Sequence, residues 1–97
     1  MDAKGLKVLI ADDEPDILEI IQYNLKKEGY TVVTAKDGDE ALTKAKQEAP
    51  DLIILDIMMP KKNGVEVCEI VRTQPAFKET LFIFLTSLSD EIGRAHV

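Results

Sequence analysis

Residues 52–56, Leu52-Ile53-Ile54-Leu55-Asp56, constrain this chain more than any other stretch. Four consecutive apolar residues leave no polar face, so a strand here must be covered on both sides. A parallel sheet with helices on both faces provides that cover. Such a sheet leaves the carboxyl ends of its strands open, and open α/β sheets bind ligands there. Asp56 closes the run at that open end, and residues 52–55 belong to the core.

The rest of the chain repeats the theme. Lys7-Val8-Leu9-Ile10-Ala11 is a short apolar strand stopped by Asp12-Asp13-Glu14-Pro15. Pro15 suits the first position of a helix, and Ile17, Ile21 and Leu25 recur at helical spacing up to Gly29, predicting a helix over 15–28. Residues 30–35 are rich in β-branched side chains and read as a second strand. Asp37-Gly38-Asp39 forms a turn that can cap a helix over 40–48. That helix has only Ala41, Leu42 and Ala45 on its apolar side, so it is expected to be the least firmly packed of the three. After Asp56, Ile57 to Asn63-Gly64 reads as a loop. Asn-Gly could turn a hairpin, but Val67, Ile70 and Val71 have helical spacing, so Asn63 is read as a cap for a third helix ending near Arg72 or Thr73. Leu81-Phe82-Ile83-Phe84-Leu85 is a fourth strand with no polar face, ended by Thr86-Ser87. Strands alternating with helices imply parallel pairing with right-handed crossovers.

The 97 residues fit one domain, and 45% hydrophobic with 31% charged residues is ordinary for a globular chain. A net charge of −6 argues against nucleic-acid backbone binding by this segment. Cys68 is the single cysteine, which excludes an internal disulfide and argues against a cysteine metal site; its apolar neighbours make it a small core residue. There is no signal peptide and no apolar run long enough for a membrane span, and a reduced, cytoplasmic setting is expected.

Three carboxylates fall at carboxyl ends of predicted strands: Asp12 and Asp13 after the first, Asp56 after the third. If those two strands are neighbours, the acids converge. Converging carboxylates repel unless a cation neutralises them or a proton is taken up. An all-oxygen cluster suits a hard ion, Mg²⁺ above all. The competing reading is that Asp12 and Asp13 only cap the first helix.

The order and spacing of three motifs carry a resemblance. They are Val8-Leu9-Ile10-Ala11-Asp12-Asp13-Glu14-Pro15, Leu55-Asp56-Ile57-Met58-Met59-Pro60 with Asn63-Gly64, and Phe84-Leu85-Thr86-Ser87. Residues 6 to about 91 resemble the receiver domain of two-component response regulators. The resemblance implies a flavodoxin-like (CheY-like) doubly wound parallel sheet in the order 2-1-3-4, continued in the family by a fifth strand. It implies that Asp56 is the phosphoacceptor, taking a phosphoryl group from a sensor histidine kinase or a small acyl phosphate. Asp12, Asp13, Asp56 and the main-chain carbonyl of Met58 would hold Mg²⁺, and Thr86 would bond the phosphoryl oxygen. Ser87 is small, as the family prefers. Met58 and Leu88, apolar at positions that tune access of water, suggest slow hydrolysis of the acyl phosphate. Lys61 and Lys62 are read as a solvated loop, with Pro60 setting its turn. Such a domain is a switch and not a turnover enzyme, and DNA would be reached only through a separate effector domain.

Two other readings stand beside this one. An aspartate-nucleophile phosphatase would carry a second Asp where Met58 stands, together with a downstream lysine and acidic pair that are not found here. A non-phosphorylated interaction domain of the same shape would have no need for Asp13, Asp56 and Thr86 together. The sequence also departs from the family pattern after the fourth strand: no lysine follows Lys78, and the fifth strand and last helices have no counterpart. Residues 1–91 are therefore expected to form an incomplete receiver domain. Residues 92–97, Ile-Gly-Arg-Ala-His-Val, read as a non-native tail that translates a sequencing adapter. The fourth strand, left as an apolar edge, is expected to promote instability or self-association.

Overall fold

The protein is described from a computed structural model, in which residues 5–85 are described; Thr86, Ser87, Leu88 and the 92–97 tail lie outside them. The elements are β1 (Lys7–Ala11), α1 (Pro15–Lys27), β2 (Thr31–Ala35), α2 (Gly38–Glu48), β3 (Leu52–Asp56), α3 (Gly64–Arg72), a single 3₁₀ turn (Pro75–Phe77) and β4 (Leu81–Leu85). All strand pairs are parallel, and the order is β2-β1-β3-β4. β1 and β3 are neighbours, with Ala11 level with Leu55. The next residues along, Asp12 and Asp56, therefore emerge side by side.

The two-residue period of each strand sorts the core into two faces. Leu9, Ala11, Ile53 and Leu55 point to one side, against Ala41 and Ala45 of α2, Val67 and Val71 of α3, and Phe77. Val8, Ile10 and Ile54 point to the other, against Leu18, Ile21 and Leu25 of α1. Phe77, on a turn that no periodicity marks, completes the first face. Cys68 is half-buried against that same core.

Two helix starts are held by their own side chains. Asp37 Oδ1 accepts from the Glu40 N–H at 2.8 Å, so α2 begins at Gly38 rather than at Glu40. At α3, Asn63 Oδ1 accepts from the Glu66 N–H (2.9 Å), and Glu66 Oε1 accepts from the Asn63 N–H (3.0 Å). This reciprocal capping box makes Asn63-Gly64 a helix start and not a hairpin. Each such cap stabilises its helix by about 1 kcal/mol.

The expectation that α2 packs least firmly is not met. α2 buries Gly38, Ala41 and Ala45, whereas α1 buries no residue completely. Small residues let the α2 backbone approach the sheet closely. α2 also shares its face with α3, while α1 is the one helix against the opposite face among the described residues. That face is open beside β4. Leu81 is 67% exposed and Ile83 48%, and Leu81 lines a cavity of about 520 Å³ with Val8, Tyr30 and Leu52. This cavity lies at the amino ends of the strands, away from Asp56.

Candidate functional site

The carboxyl ends of β1 and β3 bring the three predicted acids together. One carboxylate oxygen from each of Asp12, Asp13 and Asp56 lies within 4.8 Å of the others. Asp12 is 4% exposed and Asp56 5%, whereas Asp13 is open to solvent. Asp12 is anchored by its own N–H, which donates to the Ala35 carbonyl of β2 (3.0 Å). Its Oδ1 accepts from the Glu14 N–H (2.9 Å), so it also steadies the entry to α1. That bond stops at Glu14, the residue before the helix, and no side chain caps α1, so the reading of Asp12 and Asp13 as helix caps is not met. Asp56 Oδ1 accepts from the Met58 N–H at 3.1 Å, and the Ile57 N–H ties the end of β3 to Leu85 of β4.

Burial raises the pKa of Asp56 to about 6, and the charges of Asp12, Asp13 and Glu14 push in the same direction against the Met58 N–H. Burial likewise raises Asp12, with Asp13 adding to it, while bonds from the Glu14 N–H and Asp56 pull it back. Two buried carboxylates in hydrogen-bonding contact can both be ionised only if positive charge is supplied. The donor set is hard oxygen throughout, so the residues present fit a divalent cation such as Mg²⁺.

Thr86, read as the hydroxyl partner, lies outside the described residues. Met58 is placed beside Asp56 through its N–H, and its side chain is exposed. Met59 packs against the core. Neither loop lysine serves the carboxylates: Lys61 is exposed, and Lys62 Nζ reaches Asp39 Oδ1 of α2 at 3.0 Å. Sequence reasoning missed that ion pair, the Glu14 charge and two close approaches made by glycines. A Cβ on Gly64 would stand 2.5 Å from the Asp56 carbonyl oxygen, and one on Gly38 would overlap the carbonyl of Lys62. The signal available was a glycine in the first turn of each helix, where another residue would serve the helix better.

The molecule is a doubly wound parallel α/β domain with buried carboxylates at the carboxyl ends of its two central strands among the described residues. Residues 8–96 match the response regulator receiver domain. The chain is 56% identical over 88 residues to the alkaline phosphatase synthesis transcriptional regulatory protein PhoP of Bacillus subtilis (strain 168), covering 91% of this chain and 36% of that protein. It thus spans well under half the length of that curated relative. Among solved structures, the chemotaxis response regulator CheY4 of Vibrio cholerae aligns with a TM-score of 0.82 at 40% identity, over 92% of this chain and 75% of that one. The Francisella response regulator 1452 receiver domain aligns with a TM-score of 0.78 at 32% identity, over 95% and 77%. The chain belongs to the response regulator receiver domain family of two-component signalling, with the flavodoxin-like fold of the CheY kind. Among the described residues no helix is long and apolar enough to cross a membrane.

Proposed function

We propose that Asp56 is the phosphoacceptor of this domain and that Asp12, Asp13 and Asp56, with the main-chain carbonyl of Met58, hold Mg²⁺ beside it. The observation that carries the reading is the convergence of three carboxylates, two of them buried, at one open sheet end. Burying charge this way costs stability, and structural packing gains nothing from it.

Asp56 supplies a carboxylate oxygen that forms an O–P bond as the donor's bond to phosphorus breaks. The donor is the phosphohistidine of a sensor histidine kinase or a small acyl phosphate. Mg²⁺ bound there supplies positive charge that lets a carboxylate and an anionic phosphoryl group approach. The Met58 N–H orients the Asp56 carboxylate. Asp12 is held by its own N–H and by that of Glu14, so its carboxylate is preorganised toward the site. Thr86 would bond the phosphoryl oxygen, and the apolar Met58 would slow attack by water. The domain accepts one phosphoryl group and waits for its loss, so it works as a switch and not as a turnover catalyst. In the cell it would act in the cytoplasm, and a separate effector domain would carry any contact with DNA. Residues 92–97 are read as a non-native tail.

Incubation with acetyl phosphate and Mg²⁺ tests the reading by intact-mass spectrometry. One added phosphoryl group is expected on the wild type and none on Asp56→Asn. Phosphorylation that survives Asp56→Asn overturns the assignment.

A further inference from the structure

The loop between β3 and α3, residues 57–63, is pinned from two sides. On the α3 side the Gly64 N–H donates to the Ile57 carbonyl (3.1 Å), and the absent side chain of Gly64 leaves room for the Asp56 carbonyl. On the α2 side the Pro60 carbonyl accepts two N–H groups, from Gly38 (3.3 Å) and from Lys62 (2.8 Å). The second bond closes a three-residue turn about Lys61, whose φ is +73°. That conformation is rare and strained for a residue with a side chain, so something outside the turn must hold it. Three features of α2 do so. The Gly38 N–H bonds Pro60. The bare Cα of Gly38 lets the Lys62 backbone press against the helix. Asp39 pairs with Lys62.

We propose that Gly38, with the Asp39–Lys62 pair as a minor partner, is a positioning residue that braces the 57–63 loop and thereby sets the metal affinity of the Asp56 site. The proposal rests on the reading of Asp56 given above. A Cβ at Gly38 would overlap the Lys62 carbonyl oxygen and stand 2.5 Å from Lys62 Cβ and 2.8 Å from its carbonyl carbon, where real Cβ contacts stay beyond 3.0 Å. Main-chain atoms cannot rotate out of the way, so either the loop or the start of α2 must move. The start of α2 is tied down by the Asp37 cap and by Glu40 Oε1, which accepts from the Lys36 N–H at 2.7 Å. The loop gives way. Between Lys62 and Met58 the loop includes Pro60, whose ring locks φ and carries a displacement along the chain. Met58 in turn orients Asp56 through its N–H. The ion pair adds less, because both partners are substantially exposed.

Isothermal titration of the chain with Mg²⁺ alone is the test, with the acetyl-phosphate reaction as a second readout. Gly38→Ala is expected to raise the Mg²⁺ Kd about tenfold, the size seen when a group supporting metal ligands is lost. The initial rate of Asp56 phosphorylation should fall by at least as much. Ala41→Gly, one turn further along the same helix, should lower the Tm without moving the Kd by more than about twofold, since a helix-interior glycine weakens α2 but leaves the loop contact alone. Lys62→Gly, which loosens the contact without adding bulk, should raise the Kd about threefold, and it keeps the test open if Gly38→Ala fails to fold. An unchanged Kd in a folded Gly38→Ala or in Lys62→Gly overturns the brace, as does a tenfold rise in Ala41→Gly. A wild type that binds no Mg²⁺ overturns both the brace and the site assignment beneath it.

Discussion

β3 and β4 are adjacent, parallel, five residues long and almost equally apolar, Leu-Ile-Ile-Leu-Asp beside Leu-Phe-Ile-Phe-Leu. Their fates differ. β3 lies between β1 and β4, and Ile53, Ile54, Leu55 and Asp56 are all buried. β4 is the outermost strand among the described residues; Leu81, Ile83 and Phe84 are exposed, and Phe82 and Leu85 are half-buried. Apolar sequence therefore states a demand for cover, and position in the sheet decides whether the demand is met. The same contrast sets apart the carboxylate that ends β3. A strand enclosed on both faces and both edges can hold a carboxylate out of water, and that desolvation makes Asp56 a perturbed acid.

The contrast can be broken most directly with one substitution made twice. Leu55→Ala should cost about 3 kcal/mol, because the side chain is fully enclosed and leaves a cavity. Leu81→Ala should cost about 0.5 kcal/mol, as surface substitutions do. Urea unfolding of the two variants measures both; equal losses would show that β4 is covered in solution.

Next in size is the charge at the end of β3. In the absence of metal, Asp56→Asn should stabilise the fold by about 2 kcal/mol near pH 7, since it removes a desolvated negative charge and leaves the Met58 N–H an acceptor. The pH dependence has a definite sign. The folded pKa of about 6 exceeds the ordinary aspartate value of 3.8, so protonation of Asp56 favours the folded state. That contribution is complete below 3.8 and is lost as pH rises through 6. Melting curves of the metal-free wild type, relative to Asp56→Asn, should therefore show a gain on going from about pH 7 to about pH 5. A flat difference would place Asp56 in water. Added Mg²⁺ should raise the wild-type Tm near pH 7 through binding to the folded state, and raise that of Asp56→Asn far less.

Smaller effects belong to β4. Its apolar edge is a surface on which another chain can pair, so the polypeptide is expected to self-associate, and Leu81→Lys should shift it toward monomer in sedimentation equilibrium. A monomeric wild type at the same concentration removes that expectation. The best-covered phenylalanine of β4 is Phe82, over whose ring the Arg72 guanidinium lies 4.7 Å from the centroid. Arg72→Ala should cost about 0.5–1 kcal/mol in the same urea experiment. No loss there would mean that the arginine stem contributes nothing to the cover of β4.

Much of this was legible before any coordinates. Four strands and three helices lie where hydrophobic period, Pro15, Gly29 and Asn63 put them, and Asp12, Asp13 and Asp56 converge as their strand-end positions implied. The convergence needed one premise, that β1 and β3 are neighbours, and pairing order is not written in local pattern. The relative packing of α1 and α2 was misjudged because counting apolar residues along a stripe ignores how closely small ones let a helix approach. Phe77 was missed because a single 3₁₀ turn has no period to detect. Asp37-Gly38-Asp39 was read as a turn that can cap a helix; that Gly38 also receives the Lys62 backbone depends on contact across 24 residues of chain.

By itself, then, the sequence determined the elements, the two apolar faces of β3 and β4 and the identity of the acids, because these follow from local sterics and from the periods of helix and strand. The tertiary structure alone decided which apolar strand is enclosed, how far each carboxylate is withdrawn from water, and that the loop after Asp56 is held by the start of α2. Burial, pKa and close backbone contact are properties of neighbours in space, and residues distant in the chain become neighbours only when the sheet is assembled.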